Sequence, residues 1–180
     1  SVNYTLAANL EVLNLLGAAV NGTGSIDANL ITGNAANNLL AGLAGNDTLV
    51  GLAGDDTLDG GAGVDSLVGG DGNDTYNADS AADSILELAG GGIDTVNSSA
   101  NIVLAAEVEN LILRNPAVSA TGNALANSMT GTLANNTLDG GLGNDTLIGL
   151  AGDDTYFVDS TLDVLVEAAG AGIDTVVSSR

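Results

Sequence analysis

The chain has 180 residues, with 26 glycines, one proline, 2% aromatic residues, and no cysteine, histidine or tryptophan. Lysine and arginine total 2 (Arg114 and Arg180) against 23 acidic residues, a formal charge of −21. Nucleic-acid binding needs a basic footprint and is excluded. So are disulfides, zinc-type sites and the usual catalytic bases, while no apolar run approaches a membrane span.

Apolar residues still make up 45% of the chain. That is too many for plain disorder, which pairs high charge with low hydrophobicity. With so few aromatics, the burial must be thin and regular.

In chain order the organisation is repetitive. Residues 5–24, TLAANLEVLNLLGAAVNGTG, return as VLAAEVENLILRNPAVSATG at 103–122, a shift of 98. Two nonapeptides follow, GSIDANLIT (24–32) and GNAANNLLA (33–41), with Asn29 and Asn38 at their sixth place. Four strict units then start at Gly42, Gly51, Gly60 and Gly69: GLAGNDTLV, GLAGDDTLD, GGAGVDSLV and GGDGNDTYN. ADSAADSIL (78–86) keeps only the aspartate and the apolar place; after two extra residues, AGGGIDTVN (89–97) restores the glycines. The second half repeats this order with GNALANSMT (122–130), GTLANNTLD (131–139), GGLGNDTLI (140–148), GLAGDDTYF (149–157), VDSTLDVLV (158–166) and AGAGIDTVV (169–177). Its asparagines are Asn127 and Asn136, and two strict nonapeptides have been lost.

Two tandem modules result, 1–98 and 99–180. The first has asparagine-containing coils at 24–41, a strict run at about 42–77 and degenerate coils at 78–97. The second has them at 122–139, 140–157 and 158–177. No signal peptide is read at the N-terminus. Arg180 falls where a third module would begin, so the chain reads as a piece of a longer array.

Places seven to nine read polar–apolar–variable, a minimal strand with one side chain inward. The glycine-rich remainder is a turn. Two nonapeptides make one coil with a strand on each side, and coils stack at the ~4.8 Å strand spacing. Leu49 then lies over Leu67, and Leu58 over Tyr76. The predicted fold is an elongated all-β parallel β-roll, a β-solenoid of stacked nonapeptide coils. ENLILRNPAVSA (109–120) continues the strands, with Pro116 at a corner.

The same stacking sets Asp47 beside Asp65, and Asp56 beside Asp74. Adjacent like charges are strongly unfavourable unless neutralised. Calcium suits, because it takes six to eight oxygen ligands in flexible geometry, and turns of glycine and aspartate offer only oxygens. Without a counter-ion the charge should push the chain out of the compact state.

These units resemble the RTX (repeat-in-toxin) nonapeptide G-G-x-G-x-D-x-U-x. The resemblance implies a calcium-bound parallel β-roll, type I secretion and folding outside the cell, where calcium is plentiful. Matched by place, it implies Asp47, Asp56, Asp65, Asp74, Asp145 and Asp154 as ligands, with carbonyls from Gly45, Gly54, Gly63, Gly72, Gly143 and Gly152. Asp94 and Asp174 sit in restored turns and are further ligands. Asp83 and Asp163, in turns without glycine, either complete sites or face solvent. Leu43, Leu52 and Leu150 replace the second glycine of the motif, so those turns lack it. The asparagine coils are read as metal-poor, and about five ions are expected.

Glu87 and Glu167 fit either an extra ligand or a solvated face, and Tyr76 and Tyr156 are read as closing the core. No cleft is implied around the carboxylates, so an enzyme is not expected. The functional expectation is a secreted, calcium-folded structural module of a larger bacterial protein. Alternatives are an adhesive or surface-array module with a cell-surface or glycan partner, or an accessory beside an enzyme domain. Calcium is the expected partner, with neither nucleic-acid binding nor membrane insertion.

Overall fold

The computed structural model describes residues 3–179, which form strands and turns and, among the described residues, no helix. Arg180 lies outside the described residues. The chain divides into two compact units, residues 1–95 and 96–180.

In the first unit ten short strands alternate between two parallel sheets. One sheet is ordered β1 (Tyr4–Thr5), β3 (Asn21–Thr23), β5 (Leu39–Ala41), β7 (Thr57–Asp59), β9 (Thr75–Ala78). The other is ordered β2 (Val12–Asn14), β4 (Leu30–Thr32), β6 (Thr48–Ala53), β8 (Ser66–Asp71), β10 (Ser84–Leu86). Neighbouring strands in each sheet are thus two nonapeptides apart, as Leu40 with Leu58 and Leu49 with Leu67. This is the β-solenoid expected from the period: one strand per nonapeptide and two strands per coil.

The short strand β11 (Thr95–Ser98) falls at the unit boundary. The second unit repeats the plan. One sheet runs β13 (Asn110–Leu113), β15 (Ser128–Thr130), β17 (Thr146–Leu150), β19 (Val164–Glu167). The other runs β12 (Ile102–Val103), β14 (Ser119–Thr121), β16 (Thr137–Asp139), β18 (Thr155–Val158), β20 (Thr175–Ser178). Pro116 lies in the turn after β13, preceded by a cis peptide bond.

Through the middle coils of each unit the core is one inward side chain per strand. Ile31, Leu40, Leu49, Leu58, Leu67 and Tyr76 are all fully buried in the first unit. Met129, Leu138 and Leu147 are fully buried in the second, with Tyr156 only 1% exposed. Each buried aliphatic side chain contributes roughly 2 kcal/mol. Gly22 takes an inward position without a side chain; a Cβ there would press on Leu13 and Ile31 at 3.1 Å. The alternating burial leaves no room for a second core layer, which accounts for the near absence of aromatic residues.

Candidate metal centres

The aspartates at the sixth place are among the most buried residues of the molecule. Asp47, Asp56, Asp65, Asp74, Asp145 and Asp154 are each 2% exposed or less. Their Oδ1 atoms form a ladder with the backbone of the preceding coil. The N–H groups of Asn29, Asn38, Asp47 and Asp56 donate to Asp47, Asp56, Asp65 and Asp74 at 2.6, 2.7, 2.8 and 2.8 Å. In the second unit Asn127 and Asn136 donate to Asp145 and Asp154 at 2.8 and 2.6 Å. Stacked aspartates therefore meet through a backbone amide, which places their carboxylates in register.

The other oxygen of each carboxylate is different. Oδ2 of all six aspartates is buried without a hydrogen-bond partner. Leaving a buried charged oxygen unpaired is costly, and native structures rarely do so repeatedly.

The asparagine turns show what the aspartate turns lack. Oδ1 of Asn29, Asn38, Asn127 and Asn136 accepts the N–H of the residue at the turn's second place: Ser25, Asn34, Asn123 and Thr132, at 2.6 to 2.8 Å. The amide nitrogen of Asn29 donates to the Leu10 carbonyl at 3.1 Å, and that of Asn127 to the Val108 carbonyl at 2.9 Å. These turns satisfy themselves with no ion.

In the aspartate turns the second place is left-handed: φ is 81° at Leu43, 87° at Leu52 and 81° at Leu150. For leucine that conformation costs roughly 1–2 kcal/mol. Leucine in place of the motif's glycine therefore leaves the backbone shape unchanged and adds strain. A positive φ here reverses the peptide between places one and two. The N–H turns away, and the place-one carbonyl turns toward the preceding coil.

The result is a set of cradles lined by oxygen. A Cβ built on Gly51 would sit 2.8 Å from the Gly69 carbonyl and also against Asp56 Oδ2. Gly42 is similarly placed between Asp47 Oδ2 and the Gly60 carbonyl, the latter at 2.6 Å. Carboxylate and carbonyl converge on one point with no donor between them. The carbonyls of Gly45, Gly54 and Gly72 instead abut a glycine of the next coil (Gly63, Gly72 and Gly92). The sequence points to glycine-turn carbonyls, those at place four among them; a motif alone does not say which peptide plane turns toward a carboxylate, and here it is the place-one carbonyl that does.

Burial shifts the acids upward. Asp56 is pushed up to about 6, by desolvation first, then by the charges of Asp74 and Asp55, against the opposing Asn38 N–H. Asp47, Asp65, Asp74, Asp145 and Asp154 are raised for the same leading reason. A buried anion without a counter-charge favours its protonated form.

Asp83 and Asp163 are arranged otherwise. Asp83 accepts from Asp65 N–H through Oδ1 and from Ser80 N–H through Oδ2, both at 3.1 Å. Asp163 does the same with Asp145 and Ser160, at 3.0 and 2.9 Å. Their oxygens all have donors. Asp94 and Asp174 continue the ladder across a 20-residue coil, accepting from Asp74 and Asp154 at 2.7 and 3.0 Å.

Two three-carboxylate groups lie at the ends of the strict runs. Asp74, Glu87 and Asp94, and likewise Asp154, Glu167 and Asp174, bring ligand oxygens within 4.8 Å of one another. Glu87 is only 7% exposed, so in the first copy the solvated-face alternative is not realised; Glu167 in the second copy is exposed. Tyr76 and Tyr156 do more than close the core, since their hydroxyls donate to Oε1 of Glu87 and Glu167. Burial pushes Glu87 up to about 7, with Asp94 and Asp74 adding to the shift.

The oxygen-only donor sets, the unpartnered buried carboxylate oxygens and the reversed peptides suit a hard cation such as calcium. No curated protein matches the chain. A family model, the RTX calcium-binding nonapeptide repeat, matches residues 23–58, 50–85 and 121–160. These matches span both strict runs and the asparagine turns before them, and the chain belongs to the RTX calcium-binding nonapeptide repeat family.

Proposed function

We propose that this chain is a calcium-switched structural module of a larger exported protein, coil-like at low calcium and folded where calcium is abundant. The observation that carries the reading is the row of buried aspartate Oδ2 atoms without partners. In this reading Asp47, Asp56, Asp65, Asp74, Asp145 and Asp154 supply the charged ligands, joined by Asp94 and Asp174. Carbonyls of the glycine turns supply the neutral ones. Bound calcium replaces the missing hydrogen-bond donors and offsets part of the −21 charge.

The asparagine turns fit a complementary role. Self-satisfied and less charged, they form a metal-independent platform on which the first aspartate coil docks in each module, 1–98 and 99–180. A chain that stays extended in the low-calcium cytoplasm suits type I secretion, and calcium outside the cell then drives folding. The role is structural rather than catalytic.

Far-ultraviolet circular dichroism of the full chain, titrated with calcium after chelation, tests the proposal. The expected result is a predominantly coil spectrum in chelator, with β-structure confined to the asparagine coils, converting to full β-structure near millimolar calcium. Full β-structure in chelator would overturn the switch.

A further inference from the structure

The end of each strict run departs from the regular coil in one way that points to a separate kind of site. In a regular coil the cradle over the place-one glycine is completed by the carbonyl of the glycine 18 residues on. Gly33 faces the Gly51 carbonyl, Gly51 the Gly69 carbonyl, and Gly131 the Gly149 carbonyl. For Gly69 and Gly149 the residue 18 further on is Glu87 or Glu167. At both, the atom in that place is the glutamate side-chain Oε1, 2.6 and 2.5 Å from the point a Cβ would occupy.

Here the chain also inserts two residues, so the ladder closes through Asp94 and Asp174, 20 residues after Asp74 and Asp154. The insertion lies directly beside the glutamate, whose carboxylate oxygen stands where the regular coil has a carbonyl. Asp74 Oδ2 and Asp154 Oδ2, on residues each 1% exposed, have no partner and face the same cradle as the glutamate oxygen. The tyrosine hydroxyl occupies the remaining side of that cradle and donates to the glutamate, fixing the carboxylate's rotamer.

We infer that Asp74, Glu87 and Asp94, and separately Asp154, Glu167 and Asp174, form terminal calcium sites in which a glutamate carboxylate substitutes for a glycine carbonyl. The inference rests on the calcium reading above and adds a ligand class to it. Three carboxylates give these sites more negative charge than an aspartate–carbonyl cradle, and charge count is a principal determinant of calcium affinity. They therefore fill before the interior sites, at the last strict coil of each run. Tyr76 and Tyr156 are positioning residues: each orients the glutamate without contributing an anionic ligand.

The tyrosines also provide the test. Terbium, a calcium-sized trivalent ion, emits when a nearby excited tyrosine transfers energy to it. In a Tyr4→Phe background, the chain is titrated with terbium alone and excited at the tyrosine band. We expect sensitised emission at the first equivalents of metal, displaced by excess calcium. Glu87→Gln should lower it about twofold, and Glu87→Gln with Glu167→Gln should remove it. Calorimetric stoichiometry for calcium should fall by two ions in the double variant, whereas Tyr76→Phe with Tyr156→Phe should lose emission and keep the stoichiometry.

A chain that folds with calcium but shows no sensitised emission at the first equivalents overturns the terminal sites and leaves the switch standing. The terminal sites fall equally if the double glutamine variant binds as many ions as the parent. Emission that depends on the glutamates in a chain that is already β-structured in chelator overturns the switch instead and keeps the sites.

Discussion

Replacing Asp56 by asparagine should change sign with calcium. In chelator Asp56 is a buried acid raised to about 6 from 3.8, with Asp74 and Asp55 repelling it. A gap of about two pKa units corresponds to roughly 3 kcal/mol against the ionised form, reduced to about 1–2 kcal/mol by solvent and salt screening. Asparagine removes that cost and can still accept a backbone N–H, as Asn38 does from Asn34 at 2.7 Å. Once its second place can donate to an amide oxygen, Leu52 is free to leave φ 87°. That recovers roughly another 1 kcal/mol. Asp56→Asn should therefore favour the folded chain by about 2–3 kcal/mol in chelator. In calcium it should do the reverse, because a neutral amide replaces a charged ligand. Both arms can be followed by circular dichroism, using a stabilising osmolyte to fold the chain in chelator and calcium itself in the other arm. The osmolyte midpoint should fall and the calcium midpoint should rise several-fold. An osmolyte midpoint that rises would refute the account of Asp56 as a charge awaiting a cation.

The pH dependence in chelator follows from the same acids. Asp56 and Glu87 are raised to about 6 and about 7, so the folded chain holds protons that the unfolded chain has released. Their stabilising contribution is complete below about pH 4 and is lost as pH climbs through about 6 to 7. Chelated chain should gain β-structure on acidification from ~pH 8 to ~pH 5, read by circular dichroism; a signal flat across that window would count against it. In saturating calcium the trend should reverse, since protons compete with the ion for the same oxygens. At Leu52, isoleucine should destabilise the calcium-loaded fold by about 1 kcal/mol or more, because a branched Cβ fits a left-handed backbone poorly. Thermal unfolding of Leu52→Ile in calcium measures this, and a melting temperature equal to the parent's would mean the left-handed turn is not required.

The fold was legible because every nonapeptide carries its own instructions. The lone apolar residue at place eight sets the inward face, and the nine-residue period sets which strand neighbours which. The pairings of Leu49 with Leu67 and Leu58 with Tyr76 follow from counting. The aspartate columns were legible for the same reason. What counting could not supply was the orientation of peptide planes: which carbonyl faces a carboxylate depends on a φ angle, and Leu52 gives no sign in the sequence that it adopts a glycine-like one. Glu87 and Glu167 carried a weak signal, the same residue type 80 positions apart beside the same two-residue insertion. Their meaning needed three dimensions, because a side-chain oxygen reaching the place of a backbone oxygen leaves no trace in a motif.

Asparagine and aspartate differ by one group, yet the two turn types divide the work of folding between them. Where the sixth place is asparagine, the turn supplies its own donor: Ser25 or Asn123 N–H closes on the amide oxygen, and the amide nitrogen reaches back to the preceding coil. Where it is aspartate, the donor is turned away and a buried anion is left facing a carbonyl. The first arrangement is complete in water and the second is complete only with a cation. Since each run of aspartate turns begins on asparagine turns, through Asn29 to Asp47 and Asn127 to Asp145, the metal-independent coils hold the register in which the next carboxylate is received. Each aspartate run then lies between asparagine coils that need no ion of their own and a three-carboxylate group that fills first, and its interior cradles close last as calcium rises.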